Sequence, residues 1–262
     1  MIDLEQVNQT LNQYLRPGPF PVAVRMCQSA AEIPDGAQFP KRDLGFPVAV
    51  CQGIGMARRY GWTMAIGKDD QTCPYGALAL GFLPAEEGLL NGTYEEMVSL
   101  GKKETSARTQ QALFRLEYGK YSHLLAAPLQ NATFEPHLII VYGNPAQIVR
   151  LIQGALYQTG GALSWSATGR LGCSAMIAGT IVSDECQVIL AGGGERRVAL
   201  TQDHELAFTM PLSKVEMTVN GLEATHKQVS SMRYPTWSSI DEWKLPPSYR
   251  KLTELLMQDE QT

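Results

Sequence analysis

Apolar residues recur at helical spacing in several stretches of the chain. Leu4, Val7, Leu11 and Leu15 fall on one face of a predicted helix over 3–15, with Asp3 placed to cap it. Asn144-Pro145 opens another, with proline at its first position and Ile148, Leu151, Ile152 and Leu156 on the buried face, and Gly160-Gly161 ends it. Further helices are expected over about 51–60, 212–222 and 249–257. Residues 93–118 read as one or two polar surface helices, with Thr93 as cap and Glu96 in the capping-box position. Short β-rich runs lie between them, at 21–26, 62–66, 123–129, 137–141, 162–167, 188–191 and 205–210. Residues 28–47, with Pro34, Gly36, Pro40 and Pro47, form a long loop of the kind that is functional or packed over something.

This pattern predicts an α+β fold, and part of it is repeated. Within Cys51 to Gly81 and again within Ile152 to Gly179, Gln52-Gly53 matches Gln153-Gly154, Gly61 matches Gly161, Cys73 matches Cys173 and Gly81 matches Gly179, with one gap. The expectation is a single α+β domain over 1–227. Its two pseudo-repeated α/β halves, about 16–130 and 131–227, would pack around a shared seam. Past Lys227 the composition changes. Trp237, Trp243, Pro246 and Pro247 mark an irregular arm, 228–262, that ends in a short helix and that would pack on its own domain or on a second copy in a homo-oligomer.

The chain is long enough, at 262 residues, to bury a large core. Its net charge of -4, with no basic run longer than a pair, argues against nucleic acid. No apolar run approaches the roughly 20 residues of a membrane helix, and the acidic, polar N-terminus does not read as a signal peptide, so a cytoplasmic location is expected.

Five cysteines, an odd number, speak against a disulfide framework. Cys51 begins a predicted helix, where outward-pointing N–H groups favour the thiolate, although a buried cysteine opening a core helix fits the same pattern. Cys73 precedes Pro74 and Gly76, a pairing that also occurs at iron–sulfur ligands. Cys27 closes a strand and reads as structural. Cys51, Cys73, Cys173 and Cys186 are separated by 22, 100 and 13 positions, which excludes a zinc knuckle or a ferredoxin loop but allows a site assembled from distant segments. Histidines 123, 137, 204 and 226 show no metal spacing, and no Gly-x-Ser-x-Gly or dinucleotide fingerprint is present. Gly192-Gly193-Gly194 followed by Arg196 and Arg197 reads either as a backbone nest with guanidiniums for an anion or as a hairpin tip.

Several blocks together resemble a known family. They are RPGPFPVAV, CQGIGMARRYG, the Cys73–Gly76 turn, NPAQIVRLIQGALYQTGG through Cys173, and GGGERR with DHELAFTMPL. Over roughly residues 14–225 they are similar to the bacterial and archaeal family called domain of unknown function 169. The resemblance implies no particular activity. It implies that Cys51, Cys73 and Cys173 stand at family cysteine positions, with Cys27 and Cys186 matching less clearly, and it points to anaerobic metabolism. The resulting expectation is an iron–sulfur protein, 4Fe–4S rather than zinc, working in redox or cluster-dependent chemistry on a small molecule or with a redox partner. Cys51, Cys73 and Cys173 would hold the cluster, Cys186 would be the possible fourth ligand, and Arg196 and Arg197 would bind an anionic ligand. The alternatives are a small-ligand or sensor protein without metal, and a thiol enzyme using Cys51 as nucleophile. Whether the protein is an enzyme is left open.

Overall fold

The computed structural model describes residues 2–228 and 247–259. Six strands form one sheet: Val22–Cys27 (β1), Met64–Gly67 (β2), His123–Pro128 (β3), Leu138–Gly143 (β4), Gln187–Leu190 (β5) and Leu206–Pro211 (β6). Their order is β2-β3-β1-β4-β6-β5, and every neighbouring pair is antiparallel. Val22 stands opposite both Pro128 and Ile140. Alternation sends Val22, Val24, Met26, Leu138, Ile140 and Tyr142 to a first face, and Ala23, Ile139 and Val141 to a second. Both faces are covered, so the strands read as continuous apolar runs.

The helices are Leu4–Tyr14 (α1), Val50–Tyr60 (α2), Pro74–Ala79 (α3), Glu87–Leu90 (α4), Thr93–Met97 (α5), Lys103–Ala112 (α6) and Pro145–Leu156 (α7). A π-helical turn, Ser174–Gly179, runs into Thr180–Ser183 (α8), followed by Gly193–Val198 (α9), Leu212–Gln228 (α10) and Pro247–Asp259 (α11). α1, α7 and α10 cover the second face through Val7, Leu11, Ile148, Leu151, Val215 and Val219. Asp3 caps α1 by accepting from the Gln6 amide at 3.0 Å. Asn144 and Gln147 form a reciprocal capping box on α7. α2, α3 and the π-turn cover the first face through Ile54, Ala77, Met176 and Ile177. Residues 28–47 pack Ile33, Ala37 and Phe39 against Cys27, Ala65 and Leu125, so the long loop shields the edge of the core and Cys27 is a packing residue.

The fold is α+β, as the patterning predicts, but the halves lie side by side in one sheet joined at β1 and β4 rather than facing one another. From that join the strands run outward in the same sequence in both halves, first, third, second. The matched Gln-Gly pairs do not share this correspondence. A two-fold normal to the sheet, which relates antiparallel β1 and β4, keeps a helix on its own face, whereas α2 and α7 lie on opposite faces. On the first face, the run that precedes β5 as α2 precedes β2 is the π-turn with α8. Gly53 serves contact with β2, where a Cβ would come 2.1 Å from Ile66 Cδ1. Gly154 serves contact with α10, 2.6 Å from the Thr218 carbonyl oxygen.

Three local expectations are corrected. Residues 162–167 form no strand: Leu163, Trp165 and Ala167 alternate with Ser164 and Ser166, but only Leu163 packs against the second-face core and the rest of the segment is exposed. Residues 93–118 hold two helices. Gly92, in the left-handed region at φ 80°, caps the first in place of Thr93, and Glu96 instead accepts from the Lys103 amide at the start of the second. The glycine-arginine segment is the helix α9 rather than a hairpin. Trp237, Trp243 and Pro246 of the arm lie outside the described residues.

Candidate functional site

Cys51 and Cys73 are brought together by the backbone around them. Val48 pairs with Gln71 in a parallel bridge, receiving the Thr72 amide at 3.1 Å and donating its own to the Asp70 carbonyl at 2.7 Å. The chain then turns into α2 at Val50 and, on the other strand, into α3 at Pro74, so the first turn of one helix lies beside the cap of the other. Ala49, Cys51, Cys73 and Ala199 pack as one small cluster. Cys51 is buried and Cys73 half-buried.

Cys173 reaches the same region from the other half. It stands before the π-turn, which is pinned by the Ser174 hydroxyl donating to the Phe114 carbonyl at 2.8 Å and by Met176 against the Tyr142 hydroxyl. Opposite lies α9. Glu195 and Ala199, four apart, share its inward face, and Ala199 sits against Gly55 of α2. Arg58 of α2 holds this loop in place. Its buried guanidinium bonds Glu205 at 3.1 Å, the Ala199 carbonyl at 3.2 Å and the Thr201 hydroxyl at 3.1 Å, and stacks 3.9 Å from the Tyr142 ring centre.

The expected anion-binding arginines are therefore corrected. Arg196 and Arg197 are exposed, and Arg196 pairs outward with Asp203 at 3.0 Å. The charge that this segment turns inward is the carboxylate of Glu195, 4 % exposed. Its oxygens lie between two glycines, and a Cβ on Gly172 or Gly192 would stand 2.5 or 2.9 Å from one of them.

The thiols feel this charge. Burial pushes Cys51 up to about 12, and Glu195 and then Cys73 push in the same direction. Burial raises Cys173 well above the usual thiol range, followed by Glu195, Cys51 and Cys73. Among the described residues, the groups acting on these two thiols include no cation. Cys51, Cys73, Cys173 and Glu195 thus form one electrostatic neighbourhood of acidic groups. Beside it, both amide atoms of Gln71 are buried with no hydrogen-bond partner, near Gly76 and Val50. Among the described residues no three His, Cys, Asp or Glu side chains are gathered as a single metal ion requires.

Cys186 is not part of this neighbourhood. It lies on the second face with Val188 and Phe208, and burial raises it to about 12. It cannot serve as a fourth ligand without crossing the sheet.

A second buried acid binds the cysteine segments to each other. Glu95 accepts from the Tyr75 hydroxyl at 3.0 Å, Gln110 Nε2 at 2.6 Å and Arg170 Nη1 at 2.6 Å. Tyr75 follows Cys73 by two residues and Arg170 precedes Cys173 by three. Burial alone would raise Glu95, yet Ser106, Gln110, Arg170 and Tyr75 together hold it below the usual carboxylate range. A groove of about 90 Å³ opens next to this hub, lined in part by Leu113, Phe114, Thr168, Gly172, Ser174 and Gly192. Glu95, Glu195 and Gln71 were not singled out by sequence; only the four-residue spacing from Glu195 to Ala199 carried a signal.

Comparison with known proteins follows the same segments. The model of the family described as Uncharacterised ArCR, domain of unknown function 169, matches residues 10–221. The chain is 28 % identical over 208 residues to the uncharacterized protein MJ0308 of Methanocaldococcus jannaschii, covering 78 % of this chain and 87 % of that one. No solved structure matches it. Among the described residues no helix is long and apolar enough to cross a membrane.

Proposed function

Because the chain belongs to the domain of unknown function 169 family, whose matched relative is itself uncharacterized, its function is read from the site, and we propose that it binds an iron–sulfur cluster through Cys51, Cys73 and Cys173. The observation that carries this reading is the shared neighbourhood of three free thiols and a buried carboxylate, with no cation among the described residues acting on Cys51 or Cys173. A metal-bearing occupant takes such thiols as thiolates, releasing their protons as it binds, and thiolates select iron–sulfur clusters or zinc. The groove behind Gly172 and Gly192 gives a molecule of a few heavy atoms a place beside it.

The thiol-enzyme reading is disfavoured on physical grounds. A thiol buried and raised to about 12, with Glu195 acting on it, is protonated near neutrality and a poor nucleophile.

The test is purification without air, with absorption spectrum and iron and sulfide content, of the wild type and of single Cys→Ser variants. Cys51→Ser, Cys73→Ser and Cys173→Ser are expected to lose most of the iron, while Cys27→Ser and Cys186→Ser keep it. Iron-free wild type, even after reconstitution with iron and sulfide, contradicts the proposal.

A further inference from the structure

We infer that the cleft beside Cys186, on the second face of the sheet, binds an apolar α-amino acid as its zwitterion. The cleft lies across the sheet from Cys51, Cys73 and Cys173, and the inference does not rest on what they hold. Its volume is about 380 Å³, within the roughly 300–1,000 Å³ of small-molecule pockets. It forms where α7 ends. Gly160 and Gly161, at φ 62° and 80°, take the left-handed region that glycine adopts without strain, and they turn the chain out of the helix. Ala162, Leu163 and Ser164 then form one wall, with only Leu163 packed into the core. Leu156, Cys186 and Met217 continue the apolar lining. Cys186 is 2 % exposed and packs there as a small apolar group.

Two charged side chains complete the lining, and their signs are opposite. Lys214, in the first turn of α10, stands 3.5 Å from the carboxylate of Glu185. The two side chains are 30 % and 59 % exposed, so they lie at the mouth of the cleft. Their separation exceeds the roughly 2.7–2.9 Å of a charge-assisted hydrogen bond, and each keeps capacity for a second partner. The helix ends carry matching signs. The carbonyl end of α7 favours a cation, and the amide end of α10 favours an anion. Asp184, the other acid near the start of α10, is engaged by the Ser213 hydroxyl at 2.8 Å. A ligand with a single charge would attract one of the two mouth groups and repel the other. An α-amino acid carries both charges on one carbon, with its side chain directed away from them. Its carboxylate would meet Lys214, its ammonium Glu185, and its side chain the apolar lining.

The experiment is isothermal titration calorimetry of the full chain with L-leucine, L-methionine and L-phenylalanine. At least one is expected to bind saturably below about 10 mM. Lys214→Ala and Glu185→Gln each remove one charge-assisted contact, and each is expected to weaken that binding by about tenfold or more. Both positions are partly or fully exposed, and circular dichroism checks that the variants fold. Analogues of the bound amino acid that lack the amino or the carboxyl group test the same recognition on the unaltered protein, and they are expected to lose as much. No saturable binding of any of the three, unchanged affinity in either folded variant, or an analogue that binds as well as the amino acid overturns the inference.

Discussion

Glu195 and Arg196 are neighbours in sequence and opposites in place. In a helix as short as α9, the residue four before Ala199 faces inward and the next two face out. The charge pattern GGGERR displays two arginines prominently, yet it is the single acid that lies beside the cysteines. Residue types indicated that this segment belongs with the site; which side chain faces the site depended on helix against hairpin, which three glycines leave open. The glycines on either side are constrained by contact. Gly172→Ala or Gly192→Ala places a methyl 2.5 or 2.9 Å from a carboxylate oxygen, and each is expected to cost about 1–3 kcal/mol, read as a lower urea midpoint at unchanged slope. Gly193→Ala and Gly194→Ala, with open space at the Cβ, are expected to have little effect.

At the scale of elements, the helices α1, α7 and α10 and the strands β1, β4 and β6 were legible because each carries a long apolar period or run and a recognisable cap or turn. The region 93–118 was legible as helical but not as structural. Glu95 lies among polar residues, and nothing in its spacing distinguishes a buried hub from a solvated face. Its three partners, Tyr75, Gln110 and Arg170, are distant in sequence except Gln110, so the hub exists only once the cysteine segments have docked. Glu95→Ala leaves Gln110 and Tyr75 without their acceptor and frees Arg170. It is expected to lower stability by about 1–3 kcal/mol. It should also raise the rate at which Cys73 and Cys173 react with a thiol reagent, measured by mass spectrometry, while Cys27 is unaffected. The absent strand at 162–167 has the converse cause: Leu163, Trp165 and Ala167 alternate with serines as in a strand, but no strand of the sheet takes the segment as a neighbour, and apart from Leu163 it stays exposed.

At the scale of the molecule, the sheet places the five cysteines in three settings: Cys51 and Cys173 with Cys73 on the first face, Cys186 on the second, and Cys27 under the long loop. The sequence could name the cysteines but not their faces, because face is fixed by strand register and by which side each crossing helix takes. The buried thiols away from the site also set a pH limit. Cys27 is raised to about 11 and Cys186 to about 12, in each case chiefly by burial. Both are therefore neutral in the folded chain at a pH where the unfolded chain, with thiols near 8.5, already ionises. The stability they lend is full below that unfolded value and is lost as pH rises toward 11 to 12, at up to about 1.4 kcal/mol per pH unit for each thiol. Urea unfolding of the iron-free protein between pH 8 and 10.5 is expected to show this decline, and Cys27→Ala with Cys186→Ala to make it shallower, with the remainder due to Cys51 and Cys173, which burial raises in the same direction.

The central claim is that Cys51, Cys73 and Cys173, from segments far apart in sequence, hold one common occupant. Anaerobic native mass spectrometry after reconstitution with iron and sulfide tests it on whole, folded chains. The wild type and the Cys27→Ser/Cys186→Ser double variant are expected to gain the mass of one 4Fe–4S unit, and the Cys51→Ser/Cys73→Ser/Cys173→Ser triple variant to gain none. A wild type that stays at its apo mass, or a triple variant that takes up the cluster as the wild type does, would contradict the account.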